Sequence, residues 1–559
     1  MPKPIKKVAV IGSGVMGAGI AAHCANAGCE VLLLDIVPDG SSDRNAISEN
    51  AVNKMQKSNP EMLMLKDNSK LISSGNIEDH LYKLETYDWV IEVIIENLEI
   101  KRKLYKDIAE NIGDETILSS NTSTIPRSEL ISDMSPSLSS RFLITHFFNP
   151  PRYLPLLEVV SGPEVDKEIL NRFCTFADLD LGKRVTMCND SPGFIGNRLG
   201  IYFIQRAYKA TIDHGLSVEQ ADAMLGRPIG LPKTAVFSLM DLVGIDLIPH
   251  VTGSLISHLQ KTDPFHEIAG AGKETVASMI EEGYTGRKGK GGFYRLNKEG
   301  GKKVKEARNL ISGEYNTAER RAGYPSAKMG KRGLSAIMDC DDKGSDFVTD
   351  VLLDTLSYAA YIVPEVSDDI YAIDGAMKVG YNWKNGPFEM MDSIGIKSMV
   401  QRLQESNRNV PPFLSLALEK GSFYNIEDRE ITRLTPDGEM VIVDRSEEIL
   451  TVADLRRRGK PLKRNSSASI WDMGDDVLLV EYHTKMNAMD PMNMEMLLNA
   501  VDMAENEDWK GVVIGNDAPN FCAGANLGLA LFAANLAAWK ELDDFIGLGQ
   551  DTYQTLKYS

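Results

Sequence analysis

The run Val8-Ala9-Val10-Ile11 flows without a break into Gly12-Ser13-Gly14-Val15-Met16-Gly17 and then into a helical pattern over residues 20–27. A continuous apolar run suits a parallel strand buried on both faces, and the glycine spacing that follows it is that of a dinucleotide-binding turn. Gly12 permits the tight turn, Gly14 lets the backbone approach a pyrophosphate, and Gly17 lets helix and strand pack closely, with the phosphates at the helix N-terminus. Val15 and Met16 complete the cofactor-side turn. A second strand over residues 30–34 ends in Asp35, where a carboxylate can hold a ribose 2′-hydroxyl and repel a 2′-phosphate, so NAD is expected rather than NADP.

Composition sets the outer limits. At 559 residues the chain has room for about three or four domains of roughly 150 residues. A net charge of −18 disfavours nucleic acid and anionic membrane surfaces as partners, without forbidding a local basic pocket. The six cysteines are scattered, with no CxxC pair and no zinc spacing, and read as reduced thiols of a cytoplasmic protein; no metal is expected. The apolar run after the basic start is broken at Gly12, so it does not read as a signal peptide, and no apolar stretch reaches the roughly 20 residues of a membrane span.

Further along, Trp89-Val90-Ile91-Glu92-Val93-Ile94-Ile95-Glu96-Asn97 reads as another buried strand ending in polar residues, followed by an amphipathic helix over residues 101–108. Ligands of an open parallel sheet sit at the carboxyl ends of its strands, so Glu96 and Asn97 are expected to face the cofactor crevice. By the same logic the strand Ile117-Leu118-Ser119 delivers Ser120-Asn121-Thr122-Ser123, whose short polar side chains can donate to a substrate oxygen or cap a helix. The strand around Leu143 delivers His146, and twelve residues later the strand over residues 156–160 carries Glu158. A carboxylate beside an imidazole orients it and stabilises its charged form, which is the equipment of a general base.

Five motifs now stand in one order: Gly12 to Ala21, Glu92 to Asn97, Ser120 to Ser123, His146-Phe147-Phe148-Asn149-Pro150, and Asp190-Ser191-Pro192-Gly193-Phe194-Ile195-Gly196-Asn197-Arg198. In sequence and spacing they resemble the 3-hydroxyacyl-CoA dehydrogenases. The resemblance implies an α/β Rossmann-type NAD-binding domain followed by an all-α dehydrogenase domain. It implies that His146 takes the 3-hydroxyl proton, that Glu158 supports it, and that Ser123 and Asn197 bind substrate oxygens. Glu96, Lys101 and Asn149 match cofactor-side positions, and Lys288 matches a lysine of the family's closing Gly-Arg-Lys motif. Lys54 matches a coenzyme A contact when spacing is counted back from Asn59-Pro60. Two other readings stay open: a 3-hydroxybutyryl-CoA or short-chain hydroxy-acid dehydrogenase of the same superfamily, and an inactive scaffold binding a β-oxidation partner such as thiolase. The presence of His146, Glu158, Ser123 and Asn197 speaks against the scaffold.

From Pro192 the period turns helical, and the unit closes at Gly286-Arg287-Lys288 and Gly292-Phe293-Tyr294. A repeat then emerges. Phe194, Leu199, Ala207 and Tyr208 recur as Phe347, Leu352, Ala360 and Tyr361, and Phe237, Met240, Asp241, Gly244 and Ile245 recur as Phe388, Met391, Asp392, Gly395 and Ile396. The second copy has Asp350 where the first has Asn197, and so is expected to be a non-catalytic scaffold. Single-function members of the family pair their helical domains across a dimer; an internal copy can cover the same face, so a self-sufficient monomer is expected. The family's Gly-Pro-Phe turn stands in the second copy as Gly386-Pro387-Phe388 but in the first as Ala235-Val236-Phe237. The expected organisation is a Rossmann domain over 1–190, helical copies over 191–297 and 344–420, connections over 298–343 and 421–468, and a last segment over 469–559.

In that last segment, strands at Val477-Leu478-Leu479-Val480-Glu481-Tyr482 and Val512-Val513-Ile514 flank a Met-rich helix over residues 492–504, whose methionines read as core filler. They lead to Asn520-Phe521-Cys522-Ala523-Gly524-Ala525-Asn526-Leu527, which resembles the first oxyanion-hole loop of the enoyl-CoA hydratase (crotonase) family, with the Ala525 amide set to polarise a thioester carbonyl. That family's second oxyanion glycine and its two catalytic glutamates lie beyond the length present here. The expectation is therefore a partial crotonase-like α/β segment without hydratase activity, on a chain resembling the fused dehydrogenase and hydratase proteins of fatty acid β-oxidation.

Overall fold

The computed structural model describes residues 3–298, 301–320, 322–445 and 449–559. The chain divides into two units, residues 1–425 with 433–441 and residues 426–432 with 442–559. In the first, eight strands make one sheet: β1 (Lys7–Ile11), β2 (Glu30–Asp35), β3 (Ile72–Asn76), β4 (Trp89–Glu92), β5 (Ile117–Ser120), β6 (Phe142–Phe147), β7 (Leu156–Val160) and β8 (Arg184–Cys188). Their order is β3-β2-β1-β4-β5-β6-β7-β8. The first six are mutually parallel; β7 reverses direction against β6, and β8 runs parallel to β7.

The unbroken apolar runs follow from burial on both faces. Ala9, Ile11, Leu32 and Leu34 enter one core, whereas their neighbours Val8, Val10, Val31 and Leu33 enter another. After β1 the chain turns into helix Val15–Asn26, and the packing there leaves no room at position 17: a Cβ would fall 1.8 Å from the Gly12 carbonyl oxygen.

That helix carries His23, whose Nε2 lies 2.9 Å from the Leu181 carbonyl oxygen. Burial, then the neighbouring Lys183 charge, lowers its pKa to about 4. Between about pH 6.5 and 4 the unfolded chain therefore binds a proton here that the folded chain refuses, so stability is lost as pH falls through this window. Asp241, raised to about 6 by burial, works in the opposite direction, which makes the informative quantity a difference between two proteins. His23→Gln should lose less stability than the parent between pH 7 and 4.5, by about 2 kcal/mol in urea titrations. Parallel pH profiles of the two proteins would refute this assignment.

Beyond the sheet, helix Gly196–Asp213 lies along helix Lys343–Tyr361, with Tyr202 stacked on Tyr358 at 3.8 Å between ring centroids. The repeat is visible in buried polar clamps. Asp222 accepts the backbone N–H groups of Val236, Phe237 and Ser238, and Asp374 accepts those of Phe388 and Glu389. Asp241 accepts from the amides of Phe293 and Tyr294, as Asp392 does from Phe423 and Tyr424. The Tyr294 hydroxyl then donates to Asp222, and the Tyr424 hydroxyl to Asp374. The second copy thus runs to Tyr424, past residue 420. Asp350 is committed to ion pairs with Arg206 and Arg408 rather than to a site. In place of the turn glycine, Ala235 adopts φ 48°, a left-handed conformation fixed by the Asp222 clamp on the two residues after it.

Residues 298–343, expected as a connection, contain strands Val304–Arg308 and Tyr315–Thr317, which form an antiparallel sheet with Tyr294–Asn297. Residues 299, 300 and 321 of that stretch lie outside the described residues. The segment 421–468, of which 446–448 lie outside the described residues, holds helix Val452–Arg458. Two of its three closing arginines are paired, Arg456 with Glu481 and Arg457 with Asp454.

In the second unit, strands Lys463–Arg464, Ala468–Asp472, Val477–Tyr482 and Gly511–Gly515 form a sheet in that order. Helix Pro491–Asn506 packs on it, with Met494, Met496 and Met503 in the core. Among the described residues no single helix is long and apolar enough to cross a membrane, and no cluster of His, Cys, Asp and Glu could hold a metal ion.

Candidate active site

The reversal between β6 and β7 places His146 and Glu158 directly opposite one another in the strand register. Nδ1 of His146 lies 2.7 Å from Glu158 Oε2. Glu158 is fully buried, and its other oxygen accepts the backbone N–H groups of Ile195 (3.1 Å) and Gly196 (2.7 Å), so the carboxylate is saturated with donors. With Nδ1 donating to the carboxylate, Nε2 is the ring nitrogen left to accept a proton, and it has no hydrogen-bond partner among the described residues. The imidazole is flanked by the rings of Phe148 and Phe194, at 4.5 and 5.8 Å between centroids. Gly196 is required here, since a Cβ would meet the Phe148 ring at 2.7 Å and Glu158 Oε1 at 3.3 Å. Asn197, the next residue, is half-buried in the first turn of helix Gly196–Asp213, and its amide makes no hydrogen bond among the described residues.

Ser123 comes from the loop after β5, the strand adjacent to β6, and that loop is held by buried charge. Glu96 Oε1 accepts the Ser123 amide (3.0 Å), the Thr122 hydroxyl (2.6 Å) and the Thr124 hydroxyl (3.1 Å). Its second oxygen pairs with Lys101, which also donates to Glu92. Burial alone would raise the Glu96 carboxyl; the Lys101 charge and these hydrogen bonds outweigh it and hold the carboxyl below the usual range. Lys101, expected on the cofactor side, is itself only 1% exposed and serves this Glu92–Lys101–Glu96 cluster. On the far side of the loop, Asp190 accepts the amides of Arg127 and Ser128. The Ser123 hydroxyl is thereby presented on a backbone fixed from both ends, with no hydrogen-bond partner of its own among the described residues.

The turn after β1 fits a dinucleotide. Gly12 has φ 106°, and a Cβ there would meet the Val93 carbonyl oxygen at 2.5 Å, whereas nothing lies within 4 Å of a Cβ at Gly14, so the outer backbone face is open. Val15 is exposed and Met16 half-buried at the helix start, where the first amides lack intrahelical partners. Asp35 ends β2, and its Oδ2 accepts both the amide and the hydroxyl of Ser13 at 2.6 Å. The acid and the glycine turn are therefore coupled through Ser13.

Asn149, Lys54 and Lys288 make no hydrogen bond or ion pair with these residues among the described residues. Asn149 is exposed at the start of the loop between β6 and β7, and Lys54 is exposed in the last turn of helix Ala46–Met55. Lys288 pairs with Asp246 at 2.8 Å on the helical domain. In the second unit, Met489 donates to the Gly524 carbonyl and accepts from Asn526, which leaves the exposed Ala525 amide between them without a hydrogen bond among the described residues. The Asn526 side chain caps helix Leu527–Asn535, as an ordinary strand-to-helix turn would.

Tyr381 has no signal in the sequence. It follows helix Ile370–Gly380 of the second copy, and its hydroxyl sits 1.9 Å from where a Cβ on Gly200 would be. Burial, reinforced by the Glu158 charge, raises its phenol well above the ordinary value. The second copy therefore walls the dyad as well as bracing the helices.

Comparison with known proteins identifies the family. Residues 7–191 match the family model described as 3-hydroxyacyl-CoA dehydrogenase, NAD binding domain, and residues 193–296 match 3-hydroxyacyl-CoA dehydrogenase, C-terminal domain. The chain is 37% identical over its whole length to a Bacillus subtilis protein described as a 3-hydroxyacyl-CoA dehydrogenase, of which it spans 72%. It is 35% identical to a Rickettsia felis protein described as a fatty acid oxidation complex trifunctional enzyme, of which it spans 74%. Among solved structures, 3-hydroxybutyryl-CoA dehydrogenase from Escherichia coli shares the fold over 75% of this chain and 99% of its own, with a TM-score of 0.57 and 22% identity.

Proposed function

Since the chain belongs to the 3-hydroxyacyl-CoA dehydrogenase family of NAD-dependent oxidoreductases, we propose that its first unit oxidises the 3-hydroxyl of an L-3-hydroxyacyl-CoA to the ketone with His146 as the base. The observation that carries this reading is the His146–Glu158 pair, 2.7 Å apart, with Nε2 left as acceptor. Nε2 takes the hydroxyl proton, and the saturated carboxylate stabilises the imidazolium that results. Ser123 and Asn197, whose polar ends have no partners among the described residues, hold the substrate oxygen as it becomes a carbonyl. NAD, when bound at the glycine turn, supplies the hydride acceptor. Phe148 and Phe194 exclude water beside the imidazole, which strengthens the interactions made there.

Run in reverse, the reaction gives a direct test: the intact chain should oxidise NADH in the presence of acetoacetyl-CoA. Folded protein that leaves NADH untouched would eliminate this reading in favour of a scaffold. Turnover of four-carbon against sixteen-carbon substrates separates a short-chain enzyme from a general one.

Asp35 provides a second test. Asp35→Ser removes the carboxylate that would repel a 2′-phosphate, and with it a charge-assisted bond to the ribose. KM for NADH should rise about tenfold while turnover with NADPH rises above that of the parent. An unchanged cofactor preference would remove Asp35 from the site.

In this reading the enzyme works in β-oxidation, in line with the fatty acid oxidation named for the Rickettsia relative, in the cytoplasm, with a thiolase as the partner that would consume its 3-ketoacyl product. Because helix Lys343–Tyr361 already covers helix Gly196–Asp213, the unit needs no second subunit to complete its site, and activity should persist at concentrations where size-exclusion chromatography finds a monomer.

A further inference from the structure

Past the far end of helix Gly196–Asp213, about 24 Å along its axis from Asn197 at 1.5 Å per residue, the first unit holds a cavity of about 730 Å³. Helix Val218–Met224, the turn after it and the three-stranded sheet of residues 294–317 form its walls. The inner wall is chemically finished: Asp222 accepts from three backbone amides, the Ser238 hydroxyl and the Tyr294 hydroxyl. The rim is not. Arg227, Lys233, Lys303, Lys305 and Arg320 all line the cavity, and none of the five has an ion-pair partner among the described residues. Three acids face them, Glu219, Glu319 and the buried Asp222, whose oxygens are taken by the inner wall; Glu219 accepts the Glu319 backbone amide, and Lys305 lies 3.8 Å over the Tyr294 ring. This concentration of positive charge stands in a chain of net charge −18.

The internal repeat supplies a control. In the corresponding stretch of the second copy the cation Lys378 is neutralised by Glu389 at 2.7 Å. Glu389 directly follows Phe388, and the residue that directly follows the matching Phe237 is Ser238. The first copy therefore keeps the buried clamp, Asp222 with Tyr294, and lacks the acid that would neutralise its rim. Uncompensated like charges about one concavity repel one another and focus a positive potential on it. A ligand with more than one phosphate would relieve that repulsion and take charge-assisted hydrogen bonds from the arginines and lysines together.

We propose that this cavity is a binding site for a small diphosphate-bearing molecule, separate from the dinucleotide turn and from His146. Its volume suits a ligand of nucleotide size. Two sources share the chemistry, a nucleoside diphosphate and inorganic pyrophosphate. Calorimetric titration of the full chain, pre-saturated with NAD, with ADP and separately with pyrophosphate, distinguishes them. One ligand per chain is expected, with an affinity that falls as salt is raised. Tighter binding of ADP assigns the nucleotide; equal affinity assigns the bare diphosphate. The double variant Arg227→Gln, Lys305→Gln should weaken binding about tenfold or more while acetoacetyl-CoA-dependent NADH oxidation stays at the parental rate, which also certifies the fold. Absence of heat with either probe at millimolar concentration, or an affinity the double variant leaves unchanged, would overturn the proposal.

Discussion

His146→Gln should lower kcat for 3-hydroxyacyl-CoA oxidation by about 10³-fold while KM and NADH affinity stay near parental values. The reason is local. Nδ1 is consumed by Glu158, and Nε2 is the one basic nitrogen the dyad offers; a glutamine can fill the space between Phe148 and Phe194 but cannot accept and retain a proton. Glu158→Gln should fall in the same direction by about 10²-fold, because an amide cannot accept from His146 and from the Ile195 and Gly196 amides at once. The double variant should be no worse than His146→Gln by more than a small factor, since the two act as one unit. Rate losses that instead multiplied would mean that Glu158 acts independently of the imidazole.

The second large effect concerns Arg198, which is fully buried and binds both helical copies. Its guanidinium pairs with Asp263 at 2.5 Å and with Glu365 at 3.0 Å, and Nε donates to the Tyr358 hydroxyl at 2.6 Å. Asp263 is 3% exposed in its side chain and also accepts from Tyr358. Arg198→Ala would strand that carboxylate without its cation, a loss of about 3–5 kcal/mol. Urea inactivation of the NADH-linked reaction should shift to a correspondingly lower midpoint. Replacing both partners, Arg198→Met with Asp263→Leu, should recover most of the difference, because removing the pair costs far less than orphaning half of it. A single variant as stable as the parent would show that the pair is solvated.

The first strand, its glycine turn and the acid at Asp35 were legible because each depends on neighbours in the chain: a buried strand must be apolar throughout, and a tight turn must be glycine. The repeat was legible for the same reason, since its matching residues recur in fixed order. Strand direction was not. A run buried on both faces reads alike whichever way it points, so the reversal of β7 that sets Glu158 opposite His146 leaves no local mark. The placement of Tyr381 was hidden because it joins side chains in different copies, and the Glu92–Lys101–Glu96 cluster because it forms only when the helix after β4 folds back over the strand's end. The strands over residues 304–317 leave no mark because that stretch is short and mostly polar, so alternation carries little contrast.

That reversal of β7 also ties chemistry to alignment. Facing residues on adjacent antiparallel strands share a side of the sheet, and a slip of a single position would turn Glu158 away to the opposite core. The loop over residues 148–155 can therefore tolerate changes in length that its flanking strands cannot tolerate in phase. Turnover in this protein doubles as a gauge of whether two strands have docked in step, so a misaligned sheet would keep its apolar burial and still be silent.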